Sequence, residues 1–151
     1  MRGPNGEDLP DAILFACTQN AVRSPIAAAL MRHLFGKFVY VDSVGVKKGA
    51  PDPFAAEVLR ELGIEMGHKP KTFEELEDTN FELVISLSPE AQHKAVELTR
   101  TMAIEVEYWP TLDPTVVEGS REQRLEAYRQ VRNGLLNRLK ERFAVGPAPA
   151  P

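Results

Sequence analysis

The stretch AILFACTQNAVRSP, residues 12–25, decides the fold of this chain. Its first part, Ala12–Ala16, is short and apolar, which predicts a buried strand. Cys17, the only cysteine among the 151 residues, ends that strand, and the sequence turns helical after Arg23. The stretch therefore predicts a strand, a tight loop and a helix N-terminus in direct succession.

The loop from Cys17 to Arg23 has the features of an oxyanion site. Successive backbone N–H groups of a tight loop can point into a concavity that suits phosphate, and the N-terminus of the following helix favours the same anion. The guanidinium of Arg23 can add a bidentate contact with two phosphate oxygens. The same field favours the thiolate form of Cys17, which makes its sulfur a candidate nucleophile. The alternative is a buried, inert cysteine that ends a core strand.

Composition sets limits on the class of protein. A length of 151 residues, with 43% hydrophobic and 26% charged residues, predicts one soluble globular domain. A single cysteine excludes a disulfide framework and a zinc site built on several thiolates, and it favours a reducing compartment, so we predict a cytoplasmic protein. We expect no metal and no organic cofactor. The formal net charge of −4 argues against a nucleic-acid partner, and the chain has no apolar run long enough for a membrane span.

The chain is expected to divide into three parts. Residues 1–11 have no apolar core segment and predict a flexible N-terminal segment without a signal peptide. Residues 12–144 form the predicted domain, and residues 145–151 predict a disordered Pro/Ala tail.

Short apolar runs alternate with helical patterns along the domain. The runs that predict strands are Ile13–Ala16, Val39–Asp42, Leu83–Ser86 and Ile104–Tyr108. The predicted helices are Pro25–Phe35, Pro53–Leu62, Pro89–Leu98 and Ser120–Phe143, and Thr72–Glu75 resembles a capping box that opens a short helix. This alternation predicts an α/β fold in which a four-stranded parallel sheet carries helices on both faces. Ligands of such sheets bind outside the carboxyl ends of the strands, where the Cys17 loop begins.

Asp113 is the candidate donor of a proton to a leaving oxygen. It follows the fourth predicted strand and precedes the last helix, so it should also lie at the carboxyl end of a strand. Pro114 restricts Asp113 to extended conformations, which aims its carboxyl group. The alternative is that Asp113-Pro114 is only a turn, which is our interpretation of Asp52-Pro53.

Taken together, these motifs resemble those of the low-molecular-weight protein tyrosine phosphatases and of their relatives, the thioredoxin-coupled arsenate reductases. The resemblance covers nearly the whole chain and matches in order and spacing. Its motifs are Cys17–Arg23 with Ser24-Pro25, Asp42-Ser43 with Gly45, Gly63-Ile64 before His68, and Asp113-Pro114. It implies the Rossmann-like phosphotyrosine phosphatase I fold.

The resemblance also implies a catalytic role for three residues. Cys17 would form a cysteinyl-phosphate, Arg23 would bind phosphate and stabilise its transition state, and Asp113 would act as general acid and then as general base. The implied phosphate-binding loop consists of Thr18, Gln19, Asn20, Ala21, Val22, Arg23 and Ser24.

Four residues would support that loop. Asn20 would hold an unusual backbone conformation, which asparagine tolerates better than most residues. Ser43 and His68 would form hydrogen bonds around it, and Ser24 would donate a hydrogen bond to the thiolate.

Some positions depart from the family pattern. Gln19 stands where the loop usually has a small residue, and Thr115 and Val116 stand where aromatic residues often flank a phosphotyrosine ring. True phosphotyrosine specificity therefore stays open. The candidates to replace the ring-stacking partner are Phe54, Tyr108 and Trp109, unless they only pack in the core or on the surface.

The C-terminal third is closer to the arsenate reductase branch, which needs two further cysteines. Ser88 and Ala95 occupy the matching positions here, so an internal disulfide relay is impossible. An external thiol such as glutathione could still resolve an arsenate adduct.

We therefore predict a phosphate monoester hydrolase of the phosphotyrosine type that acts through a cysteinyl-phosphate on a phosphorylated protein or a small phosphate ester. The alternatives are an arsenate reductase that uses an external thiol, and a non-catalytic module that binds oxyanions or phosphoproteins. The sequence leaves the oligomeric state open.

Overall fold

One parallel sheet organises the part of the chain that the computed structural model describes, which comprises residues 3, 6–67, 69–76 and 80–143. Its strands are β1 (Ala12–Cys17), β2 (Tyr40–Gly45), β3 (Leu83–Ser86) and β4 (Glu105–Tyr108). Their order across the sheet is β2-β1-β3-β4. The predicted four-stranded parallel sheet is confirmed, and β1 lies in its interior.

Helices cover both faces of the sheet, as predicted. They are α1 (Arg23–Phe35), α2 (Pro53–Arg60), α3 (Pro89–Leu98) and α4 (Arg121–Arg142). Alternate side chains of β1 point to opposite faces: Ile13 and Phe15 pack in the core beneath α1, α2 and α4, whereas Leu14 and Ala16 pack beneath α3. Leu9, upstream of the predicted domain boundary, is buried in the first of these cores.

Several predicted boundaries shift. β2 continues past Asp42, since Ser43, Val44 and Gly45 pair in register with the end of β1. The first helix begins at Arg23 rather than at Pro25. The second ends at Arg60, and the chain then turns through Gly63, whose φ of +75° suits glycine.

The capping box expected at Thr72–Glu75 is wrong. Phe73–Glu75 forms a single 3-10 turn, and the Thr72 hydroxyl donates to the Glu75 carboxylate at 3.3 Å instead of accepting a backbone N–H. A complete capping box does open α4, where Ser120 and Gln123 each accept a backbone N–H from the other.

The structure bears differently on the expected tail and on the expected absence of a membrane span. The predicted tail, residues 145–151, lies outside the described residues. Within the described ranges, no helix is both long and apolar enough to cross a membrane.

Candidate active site

The Cys17 sulfur lies at the carboxyl end of β1 within a shell of hydrogen-bond donors. It is 2.9 Å from Oγ of Ser24 and accepts the backbone N–H of Asn20 at 3.3 Å. The Ser24 hydroxyl accepts a bond from Nδ2 of Asn20 at 2.8 Å, so its own proton is available to the sulfur or to the Val44 carbonyl oxygen, 3.3 Å away. The first N–H groups of α1 have no partner inside the helix, and α1 begins directly after this loop. The surroundings therefore suit a negatively charged sulfur and a bound anion.

Asn20 holds the loop in shape. Its backbone adopts a φ of +54°, the left-handed region that asparagine tolerates. Its side chain is fully buried, donates to Oγ of Ser24 and to Oγ of Ser43 (3.0 Å), and accepts the backbone N–H of Lys71 at 2.9 Å. The loop also packs closely on Gly45, because a Cβ there would lie 2.7 Å from the Asn20 nitrogen.

Arg23, the first residue of α1, connects the loop to the segment after β4. Its Nη1 donates to the Thr111 carbonyl oxygen at 3.1 Å, and its Nη2 approaches Oγ1 of Thr18 at 3.5 Å. Thr18 is in turn within hydrogen-bond distance of Ser88 and Glu90 at the start of α3. The backbone N–H of Glu90 and then the Thr18 hydroxyl lower the pKa of that carboxyl group. The guanidinium is thus oriented by contacts with two different loops.

Asp113 is held by its neighbour Thr115. Its Oδ1 accepts both the backbone N–H of Thr115, at 3.0 Å, and the Thr115 hydroxyl, at 2.7 Å, at the start of the 3-10 turn Pro114–Val116. The residue that departs from the family pattern after Asp-Pro therefore orients the carboxylate.

These segments enclose a cleft of about 360 Å³. Its wall includes the predicted residues Cys17, Arg23 and Asp113. Asp113 is about 90 residues away from Arg23 in the sequence, and the fold brings them to one cleft. The other lining residues are Gln19, Ala21, Val22, Ala50, Pro51, Asp52, Pro53, Phe54, Thr115, Arg124 and Tyr128.

Only one of the three aromatic candidates lines the cleft. Phe54 does so, in an edge-to-face contact with Tyr128 at 5.4 Å between ring centroids. Trp109 is buried elsewhere, with the Arg138 guanidinium over its ring, and Tyr108 lies on the exposed edge strand β4.

Sequence reasoning missed the wall formed by Asp52, Arg124 and Tyr128. Asp52 caps the start of α2, in line with the predicted turn before that helix, since its Oδ1 accepts the backbone N–H of Phe54. Its Oδ2 accepts the Tyr128 hydroxyl at 2.6 Å. The available signal was positional, because Asp52 follows a parallel strand and the loops after such strands converge. His68 lies outside the described residues.

A family model matches residues 12–143, and its description is low molecular weight phosphotyrosine protein phosphatase. The chain belongs to this family.

Curated relatives of this family member have different activities in their names. An arsenate reductase of Bacillus subtilis is 28% identical over 130 residues, which span 85% of this chain and 92% of the relative. A protein-arginine-phosphatase of Geobacillus stearothermophilus is 42% identical over 64 residues, 40% of this chain and 43% of the relative.

Solved structures agree with the fold. An arginine phosphatase from Geobacillus stearothermophilus superposes with a TM-score of 0.71 at 27% identity, over 88% of this chain and 92% of that one. A tyrosine phosphatase of Erwinia amylovora has a TM-score of 0.72 over 91% of this chain and 95% of that one, but its 17% identity supports the fold alone. Phosphatase and arsenate reductase chemistry both occur among the named relatives.

Proposed function

We propose that this protein hydrolyses phosphate monoesters through a cysteinyl-phosphate intermediate. The observation that supports this most directly is that Cys17, Arg23 and Asp113 line one cleft. A module that only binds an oxyanion needs neither a nucleophile nor an acid, so this combination favours an enzyme.

In the first half of the reaction the phosphate group occupies the loop, bound by backbone N–H groups and by Arg23. The Cys17 thiolate attacks phosphorus, the ester P–O bond breaks, and the leaving oxygen takes a proton from Asp113. The transition state is loose, with charge spread over the equatorial oxygens that face Arg23.

In the second half water attacks the phosphorus of the cysteinyl-phosphate. Asp113, now a carboxylate, accepts a proton from that water, and the S–P bond breaks. The Ser24 hydroxyl, 2.9 Å from the sulfur, donates to the departing thiolate. Inorganic phosphate then leaves, and Asp113 and Cys17 return to their starting states.

Phosphorylated proteins are the proposed substrate class, with phosphotyrosine as the residue. The names of solved relatives include both tyrosine and arginine phosphatases, so a phosphoarginine peptide belongs in the same substrate panel.

Arsenate reduction is the second candidate function, because several curated relatives have that name. Reduction of arsenate to arsenite consumes two electrons, and Cys17 is the only thiol in the chain. Two equivalents of an external thiol, oxidised to a disulfide, would have to supply them.

Rapid acid quench followed by mass spectrometry tests the proposal. Wild-type protein mixed with para-nitrophenyl phosphate should acquire one phosphoryl group on Cys17 and release para-nitrophenol steadily. Cys17→Ser should lose turnover while it stays folded, because a serine hydroxyl is far less ionised and has no base to activate it. Absence of both phosphoryl-Cys17 and turnover, with arsenite formed from arsenate and glutathione, would establish the reductase instead.

A further inference from the structure

Arg124 contributes a second positive charge to the cleft, in addition to that of Arg23 in the phosphate-binding loop. It lies in the first turns of α4, and its guanidinium carbon is 4.9 Å from the centroid of the Phe54 ring. Both side chains line the cleft that contains Cys17. Stacking on an aromatic face restricts a guanidinium without using its N–H donors, so the group is oriented and still able to bind.

The surrounding carboxylates do not pair with Arg124. Both oxygens of Asp52 already accept hydrogen bonds, from Phe54 and from Tyr128. Oδ1 of Asp113 accepts two bonds from Thr115. Among the described residues, no ion pair or hydrogen bond involves the Arg124 guanidinium.

Other arginines of α4 that face α2 are paired. Arg121 makes a two-oxygen contact with Glu57, at 2.6 and 2.9 Å, and Arg129 and Arg132 both bind Glu61. Arg121 also lies over the Phe54 ring, at 5.6 Å, but it does not line the cleft. Two arginines of one helix thus share an aromatic neighbour, and only one of them has its charge balanced by a carboxylate.

We infer that Arg124 selects substrates whose leaving group carries a carboxylate near the scissile phosphate. The inference rests on the proposed phosphatase function, because it assumes that the phosphate itself occupies the Cys17 loop and Arg23. The part of the substrate beyond the phosphate then faces the wall made by Phe54 and Arg124. The carboxylate can belong to an acidic residue beside the phosphorylated one in a protein, or to a small phosphate ester.

Two esters that differ only in charge test the inference: meta-carboxyphenyl phosphate and its neutral amide, meta-carbamoylphenyl phosphate. The ratio of their kcat/KM values should favour the carboxylate in wild-type protein. In Arg124→Gln this ratio should fall about tenfold, the effect expected for loss of one charge-assisted contact of about 1.4 kcal/mol. Added salt should lower the wild-type ratio as well.

Arg121→Gln is the matched control, since Arg121 is also exposed, belongs to the same helix and lies over the same Phe54 ring. It should keep both the basal activity and the wild-type ratio. Arg124→Lys should give an intermediate ratio, because lysine keeps the charge but lacks the planar group that stacks on Phe54. Tyrosine-phosphorylated peptides with a flanking Asp or Asn distinguish a protein substrate from a small ester.

Binding of the same esters to the Cys17→Ser protein separates this inference from the proposed function. The Cys17→Ser protein should bind the carboxylate ester more tightly than the amide, and adding Arg124→Gln to it should remove this preference. That result supports the inference even where nothing is hydrolysed. Turnover of both esters with equal efficiency, or a preference that Arg124→Gln leaves intact, would overturn the inference and leave the phosphatase function standing.

Discussion

The Tyr128 hydroxyl donates a 2.6 Å hydrogen bond to Oδ2 of Asp52, which joins α4 to the start of α2 at the wall of the cleft. Burial, and then the bond to Asp52, raise the pKa of Tyr128, so the phenol stays a neutral donor. The other oxygen of Asp52 accepts the backbone N–H of Phe54 at 2.9 Å. One carboxylate therefore caps α2 and holds the Tyr128 side chain, which lines the cleft.

Tyr128→Phe should lower the free energy of unfolding by about 1–3 kcal/mol, because it leaves Oδ2 of Asp52 without its donor in a half-buried site. Denaturant unfolding followed by circular dichroism measures this loss. Tyr40→Phe is the control, since Tyr40 is 51% exposed and stacks on Phe81 through its ring. Equal effects of the two substitutions would contradict a structural role for the Tyr128 hydroxyl.

Substitutions of Asn20 separate backbone strain from hydrogen bonding in the loop. Asn20→Gly permits the φ of +54° but removes the side-chain bonds to Ser24, Ser43 and Lys71, whereas Asn20→Ala loses these bonds and is also strained. Both should reduce kcat/KM for para-nitrophenyl phosphate. Asn20→Ala should be less stable than Asn20→Gly by about 1 kcal/mol. The reverse order of stability would mean that the loop relaxes out of the left-handed conformation.

Local sequence was sufficient to predict the sheet, the helices and the Cys17 loop, because each depends on apolar periodicity or on residues close together in the chain. It was insufficient for Tyr128, whose place in the wall of the cleft sequence reasoning missed. Its bond to Asp52 depends on how α2 and α4 pack, and no periodicity encodes that. Thr115 looked like a missing aromatic residue, and only the turn geometry assigns its contact with Asp113.

The end of β2 illustrates the same limit. The predicted strand ends at Asp42, yet polar Ser43 also lies in β2. Oδ2 of Asp42 accepts a hydrogen bond from the Lys71 ammonium at 2.7 Å. Oγ of Ser43 accepts one from the side-chain amide of Asn20. A polar residue is stable in a buried strand when its partner comes from elsewhere in the chain.

Glu107 should make the stability of the protein dependent on acid pH. Burial opposes ionisation, but hydrogen bonds from Arg142 and Trp109 outweigh it and lower the pKa of the Glu107 carboxyl group. A depressed folded-state pKa stabilises the protein above the unfolded-state value of about 4.3, and this contribution is lost as the pH falls through the folded-state pKa. Glu107→Gln should therefore destabilise by about 1 kcal/mol at neutral pH, and the difference from wild type should shrink below about pH 4.

Urea unfolding between neutral and acid pH measures this difference. Glu105→Gln removes a charge from an exposed position of the same strand, and its effect on the free energy of unfolding at neutral pH should be smaller. A Glu107→Gln effect that stays constant down to the lowest pH would show that the Arg142 contact does not depend on ionisation of Glu107.

The role of Asp113 can be read from the leaving group. A general acid contributes about 10²- to 10⁴-fold, most of all where the leaving oxygen is basic. In a loose transition state negative charge builds on that oxygen, and para-nitrophenolate tolerates this charge without a proton, whereas an unactivated phenolate does not. Asp113→Ala should therefore slow phosphorylation of Cys17 by phosphotyrosine more than by para-nitrophenyl phosphate. Single-turnover phosphorylation with a series of aryl phosphates gives the dependence on leaving-group basicity.

Thr115→Val is the companion variant for the same series, because it removes the 2.7 Å hydroxyl bond to Oδ1 of Asp113 and leaves the carboxyl group in place. If Asp113 donates the proton, a loosened carboxyl group should produce a weaker form of the same leaving-group dependence, steeper than wild type and shallower than Asp113→Ala. Equal losses for every leaving group in Asp113→Ala would instead assign Asp113 to shaping the loop beside Arg23. The proton donor would then have to come from another group in the cleft or from solvent.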